Sequence, residues 1–342
     1  TLADYGTVSY FGLGVFTTGI FRTWFGLGDY TSASKMASLL LFFVFALIIL
    51  ERVSRSKAKY HNSSGKLKRF SEFRLKGFKA CLAFATCGIP VFLGFFLPAA
   101  QLSVWALETW SDMVDDRFFE LVINSFILAF GAALISVILA LFLGYGKRIF
   151  PGKTTIVSIR TASIGYAIPG TVIAVGVIIP FAWLDVRIDT FMKSSFGISS
   201  GLILSGTIVA VMFAYVVRFL AISLQTVESG LDKIKPSMDD AARSLGYRPR
   251  ETLFKIHIPL MKSSTLTALM IVFVDVMKEL PATLILRPFD FNTLAVRAFE
   301  LASDERLADS STAALTIVIV GLLPVIFLSK TISESRFDQG NT

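Results

Sequence analysis

Apolar residues gather in seven long blocks, near residues 33–50, 79–104, 119–145, 154–183, 201–227, 262–286 and 310–329, separated by charged or turn-forming stretches. A hydrocarbon core of about 30 Å needs roughly 20 helical residues to cross it, and each block is of that size. Backbone amides inside a bilayer must be paired within their own segment, so helices are the structure such blocks can take. The pattern predicts an all-α fold, a polytopic transmembrane helical bundle of about seven helices.

Charge orients the bundle. Between Arg52 and Lys79 lie ten basic residues, Arg52, Arg55, Lys57, Lys59, Lys66, Lys68, Arg69, Arg74, Lys76 and Lys79, which places this stretch on the cytoplasmic side. Alternation from there puts Lys147, Arg148 and Lys153, the loop 228–261 and the C-terminus on the same side. The opposite loops carry Glu108, Asp112, Asp115 and Asp116, and then Asp290, Glu300, Asp304 and Glu305.

Composition agrees. Hydrophobic residues make up 54% of the 342, charged residues 17%, and the mean hydropathy is +0.67, against roughly 25% charged residues in soluble domains. The net charge of +8 is held in loops rather than interleaved with aromatics on one soluble surface, which argues against nucleic acid. Cys81 and Cys87 sit inside an apolar run, and His61 and His257 are far apart, so neither a disulfide framework nor a protein metal cage is expected.

The stretch before the first block lacks the features of a signal peptide. Leu2, Phe11, Phe21 and Ser32 recur as Leu280, Phe289, Phe299 and Ser310 at a constant offset of 278, each set leading into an apolar helix. The expected organisation is a C-terminal remnant of a first half at 1–50, a basic linker at 51–78, a complete six-helix module at 79–330 and a cytoplasmic tail at 331–342.

The loop after the fifth block carries the strongest chemistry. In Lys235-Pro236-Ser237-Met238-Asp239-Asp240-Ala241-Ala242-Arg243-Ser244-Leu245-Gly246, Ser237 and Asp240 have the spacing of a capping box and Gly246 supplies a left-handed stop. Met238, Ala241, Ala242 and Leu245 fall on one stripe of the resulting short helix. Two alanines at its centre let another surface approach closely, as a helix lying in a partner's groove requires. A second short helix is expected from Pro249 to near Pro259. Packing of this helix on its own membrane domain is the competing reading.

Asp240-Ala241-Ala242, three residues, Gly246, nine residues and Ile256-His257-Ile258-Pro259 resemble the EAA signature of binding-protein-dependent ABC importer permeases, with Asp for Glu and Ile for Leu. Leu2-Ala3-Asp4-Tyr5-Gly6-Thr7, Gly165-Tyr166-Ala167-Ile168-Pro169-Gly170-Thr171, Arg218-Phe219-Leu220-Ala221 and Lys278-Glu279-Leu280-Pro281-Ala282-Thr283 are similar to the ferric-iron permeases of that superfamily. The resemblance spans essentially the whole chain. It implies a type I importer permease in a bacterial inner membrane, receiving ferric iron from a periplasmic binding protein and driven by a cytoplasmic ATPase dimer. In that family the loop holding Met238, Asp240, Ala241, Ala242, Leu245, Gly246, Ile256 and Pro259 couples the two. ATP and magnesium would then be bound by the ATPase, with no cofactor in this chain. Related permeases carry thiamine, phosphonates or polyamines.

Other motifs add little. Gly152-Lys153-Thr154 lacks the earlier glycine of a phosphate-binding loop and reads as a loop between helices, and no hydrolase elbow or paired-histidine helix occurs. Ionisable residues within the blocks are costly and so are paired or line an aqueous path. Asp275, Lys278 and Glu279 share a helix, with Asp275 and Lys278 spaced to pair, and Pro281 predicts a break after them. Pro169-Gly170 predicts a second break, and Arg218 is a second polar site, either snorkelling or paired across helices. A cargo route and a helix-orienting ion pair both fit this cluster. An ion-coupled secondary transporter, titrating Asp275 and Glu279, is the rival from another class; an intramembrane enzyme lacks a nucleophile facing a base.

Overall fold

The computed structural model describes residues 2–56 and 75–338, and every regular element among them is helical. The central part of the basic linker, including Lys57, Lys59, Lys66, Lys68, Arg69 and Arg74, lies outside the described residues. Among the described residues six helices are long and apolar enough to cross a membrane: Tyr30–Glu51, Phe78–Met113, Asp116–Ile149, Gly170–Phe196, Ile208–Leu231 and Leu307–Ile326. A seventh span is formed if Pro249–Leu260 and Lys262–Met277, bent by 78° at Met261, are taken together.

The chain opens with short α1 (Gly6–Tyr10) and α2 (Phe16–Phe21), then α3 (Tyr30–Ser56). After the linker, α4 (Phe78–Val91) runs through a π turn at Phe92–Phe96 into α5 (Leu97–Met113). Long α6 (Asp116–Ile149) follows, then α7 (Lys153–Ala162), α8 (Gly170–Phe196) and α9 (Ile208–Leu231). The loop beyond α9 holds α10 (Pro236–Ser244) and α11 (Pro249–Thr252), which passes through another π turn, Leu253–His257, into α12 (Ile258–Leu260). The chain then bends into α13 (Lys262–Met277), breaks, and resumes as α14 (Pro281–Leu286), α15 (Leu294–Ser303) and α16 (Leu307–Asp338).

The core is the bundle of α6, α9 and α13. On α6 many of the residues turned inward are small, with Ala129, Ala132, Ala133, Ser136, Ala140 and Gly144 buried beside Leu128 and Val137, while Phe126, Phe130, Ile138 and Phe142 are exposed. A soluble helix would sort these the other way. Small residues inside let helix backbones approach closely, and large apolar residues outside suit lipid. Helix α5 packs along α16, α14 against α8, and α3 against α2 and α8. The ring of Tyr5 stacks on Phe21 at 3.8 Å and meets Phe299 at 5.4 Å, tying the N-terminal segment to α15.

Helix α2 starts at Phe16 and α15 at Leu294, 278 residues later, and α3 and α16 start at Tyr30 and Leu307, 277 apart. Three expectations are corrected. The block 154–183 is not one span, because α7 stops at Ala162 and seven residues intervene before α8, which then continues to Phe196. Lys153 and Thr154 begin α7 rather than sitting in a loop. The last helix carries on past residue 330 to Asp338, so the tail starts as an extension of α16.

Candidate coupling site and membrane-buried polar cluster

Helix α10 starts differently from its sequence expectation. Pro236 takes the first helical position and Lys235 precedes it in extended conformation without a side-chain cap, so Ser237 lies inside the helix and the Ser237–Asp240 capping box does not form. Asp240 instead pairs with Arg243 one turn later on the exposed surface. The other end conforms. Gly246 has φ of +81°, its amide donates to the Arg243 carbonyl and the Tyr247 amide donates to the Ala242 carbonyl, the two bonds of a Schellman stop.

The apolar stripe is divided between two faces. Met238 (39% exposed), Ala241 and Leu245 (77% exposed) form an outward ridge, whereas Ala242 is buried against its own chain. Of the four stripe residues, Ala242 is therefore the inward anchor and not part of the free ridge. Ile256 is half-buried within the π turn and Pro259 is exposed at the start of α12.

The inward face of α10 is held by side chains that the sequence did not single out as a site. Arg148, at the end of α6, donates from Nε to Asp239 Oδ2 at 2.8 Å and from Nη1 and Nη2 to the carbonyls of Leu231 (2.6 Å) and Ile234 (2.8 Å). His257 meets Asp239 Oδ1 through Nε2 at 2.6 Å and is itself fully buried. Carboxylate oxygens only accept, so Nε2 carries the proton. Tyr145 donates its hydroxyl to the Pro249 carbonyl at 2.8 Å and sets its ring edge-on to His257. Asp239 lies 91 residues from Arg148, and no local spacing announces such a pair.

Within the bundle, the polar residues singled out beforehand fall into two groups. Asp275 and Lys278 pair at 2.9 Å, as their spacing predicts, with Lys278 largely exposed. Glu279 does not join them: it is 6% exposed and meets Arg218 Nη1 of α9 at 2.9 Å. Arg218 is thus paired across helices. A break precedes Pro281 as expected, but it opens already after Met277, so that Lys278 and Glu279 do not share the helix of Asp275; Glu279 bridges the gap, accepting the Ala282 amide through its carboxylate and the Thr283 hydroxyl through its carbonyl (2.7 Å). Thr283 in turn shares a hydrogen bond with the buried Tyr215 hydroxyl.

Pro169-Gly170 supplies the second break. Gly170 opens α8 against this pair, so close that a Cβ there would stand 2.5 Å from Glu279 Oε1 and would also strike Arg218 Nη1. The two interruptions and the cross-helix ion pair therefore form one knot, joining α8, α9 and α14.

Comparison with known proteins agrees with this architecture. The family model described as the inner membrane component of binding-protein-dependent transport systems matches residues 136–339, more than half of the chain. The Fe(3+)-transport system permease protein FbpB 2 of Haemophilus influenzae is 26% identical over 96% of this chain, which spans 63% of that protein's length. A putative 2-aminoethylphosphonate transport system permease protein, PhnV of Salmonella typhimurium, is 26% identical over 72% of this chain and 91% of its own. A solved bacterial alginate ABC transporter in complex with an alginate pentasaccharide-bound periplasmic protein matches 73% of this chain and 92% of its own, with a TM-score of 0.57 and 12% identity, which speaks to fold alone. With the family match extending from mid-α6 through the loop 228–261 to the end of α16, the chain belongs to the inner-membrane components of binding-protein-dependent transport systems.

Proposed function

We propose that this chain is the permease part of an ATP-driven importer, with α10 gripped by a separate cytoplasmic ATPase dimer and cargo arriving from a periplasmic binding protein. The observation that carries this reading is the outward ridge of Met238, Ala241 and Leu245, apolar, exposed and closed by the left-handed Gly246, on a helix whose opposite face is bolted to the membrane domain. An apolar ridge on a short helix in a charged loop is suited to a groove on a partner. Nucleotide-driven movement of the ridge would rock the bundle between arrangements open to either side.

Ferric iron is the cargo favoured by the similarity to the Haemophilus ferric permease over 96% of this chain and 63% of that permease. An organophosphonate is the second reading, favoured by the similarity that spans 91% of the Salmonella phosphonate permease. The permease of either system does no covalent chemistry. The test is reconstitution of the full permease in proteoliposomes with its ATPase and binding protein, following radiolabelled ferric iron and 2-aminoethylphosphonate. ATP-dependent entry of iron, abolished by Leu245→Asp, is expected; uptake that needs no ATPase and follows an ion gradient would overturn the reading.

A further inference from the structure

Helix α10 has an inward face as well as an outward one, and that face is organised around a single carboxylate. Asp239 receives Arg148 on one oxygen and His257 on the other, and the same Arg148 guanidinium caps the carbonyl of Leu231, the last residue of α9, and that of Ile234 three residues beyond it. Helix termini leave their last carbonyls unpaired, and a cation is the natural partner for them. One guanidinium thus joins the end of α6, the end of α9 and the coupling helix, while His257 adds the segment leading into α13. Helices α6, α9 and α13 are the core bundle.

We infer that Asp239, Arg148 and His257 form a force-transmitting clamp: positioning residues that make a displacement of α10 move α6, α9 and α13 together. The inference rests on the importer reading above. A loop helix attached only by its backbone ends would yield locally when pushed. One anchored through a charge-assisted network at 2.6–2.8 Å passes the load to whatever holds the network. Arg148 and Asp239 are 18% and 22% exposed, so water competes with the pair only weakly. Removing Asp239 strips His257 of its partner and Arg148 of its carboxylate, and removing Arg148 frees one Asp239 oxygen and both carbonyls, so Asp239 and Arg148 are coupled rather than independent. Asp239 serves this purpose because it points inward, while its neighbour Asp240 is exposed and pairs only with Arg243 on its own helix.

The test uses the full permease with its ATPase and binding protein in proteoliposomes, measuring radiolabelled ferric iron imported per ATP hydrolysed. It also measures crosslinking from a cysteine placed at Ala241 to the ATPase. Asp239→Asn and Arg148→Gln are each expected to lower iron imported per ATP by about tenfold, with the double variant no worse than Arg148→Gln alone. Asp239→Glu is expected to recover most of the ratio, and the Ala241 crosslink is expected to persist throughout. A normal ratio in Asp239→Asn, independent losses that multiply in the double variant, or loss of the crosslink would overturn the clamp. Should Asp239→Asn fail to insert, Arg148→Lys carries the test: it keeps the charge but cannot serve Asp239 and both carbonyls at once, so an intermediate ratio supports the clamp and a normal one overturns it. Absence of both crosslink and uptake in the unsubstituted protein would instead bring down the importer reading, and the clamp with it.

Discussion

Arg218 and Glu279 meet at 2.9 Å at the point where the backbone of Gly170 starts α8, so that a cross-helix ion pair and a helix N-terminus occupy the same small volume. The broken ends of α8 and α14 lie beside these charged side chains, and at α14 Glu279 accepts the Ala282 amide directly. This crowding makes the knot sensitive to single atoms.

Gly170→Ala is expected to destabilise the protein by about 1–3 kcal/mol, because the added methyl collides with Arg218 and Glu279 rather than with a yielding apolar chain. Thermal unfolding in detergent checks this. An unchanged midpoint would show that the ion pair can move aside.

Breaking the ion pair costs more than removing it. Glu279→Leu alone leaves Arg218 buried and unpaired, a loss of about 3–5 kcal/mol, whereas Arg218→Met with Glu279→Leu is expected to be milder than either single change. Comparing the three by unfolding separates an orienting pair from a route for cargo. If Glu279→Gln inserts normally and imports at the unsubstituted rate, Glu279 is not part of that route.

Gly246 lies at φ +81°, where a branched side chain is strained. Gly246→Val is expected to abolish import by unwinding the end of α10, while Gly246→Asn retains much of it, asparagine being the non-glycine residue that best tolerates the left-handed region. Transport assays of the two variants at equal membrane abundance decide the point. Similar activity in both would mean the stop is dispensable.

Leu245 is 77% exposed and its removal disturbs no internal packing. Leu245→Asp is expected to leave the unfolding midpoint unchanged within about 0.5 kcal/mol and to abolish co-purification with the ATPase. A change in stability instead would mean that Leu245 packs within its own chain.

Asp29 caps α3, accepting the amide and hydroxyl of Ser32, and these bonds hold its carboxyl below the usual carboxylate range. Because the folded-state pKa is depressed, the cap is fully present above the unfolded-state value and is lost as pH falls through the lower folded-state value. Protection against hydrogen exchange at the first turn of α3, taken relative to each amide's intrinsic rate at the same pH, is expected to fall on acidification. Asp29→Asn caps without titrating, so its protection at that turn should not respond to the same acidification.

Much of this was legible beforehand because it is local. The seven apolar blocks announce helices by length and composition, Pro281 and Pro169-Gly170 announce breaks through backbone geometry, and Gly246 announces a helix stop. Asp275 and Lys278 pair as their three-residue spacing requires. What stayed hidden is long-range. Glu279 finds Arg218 across 61 residues and Asp239 finds Arg148 across 91, and no periodicity encodes either meeting. The gap between α7 and α8 was masked because Ile164, Ala167 and Ile168 continue the apolar run of their neighbours. The two faces of α10 were merged for a related reason: a stripe of four apolar residues does not say which of them meets its own chain.

The 78° turn at Met261 gives the segment feeding α13 the shape of a crank. Its short arm, Pro249–Leu260, is about 18 Å long, and the long arm, Lys262–Met277, about 24 Å, at the usual helical rise. If the elbow keeps its angle, swinging the short arm by about ten degrees sweeps the far end of the long one through about 4 Å, comparable to the rise of a helical turn. Stiffness at that elbow, rather than reach, then sets the stroke that arrives at the Arg218–Glu279 knot.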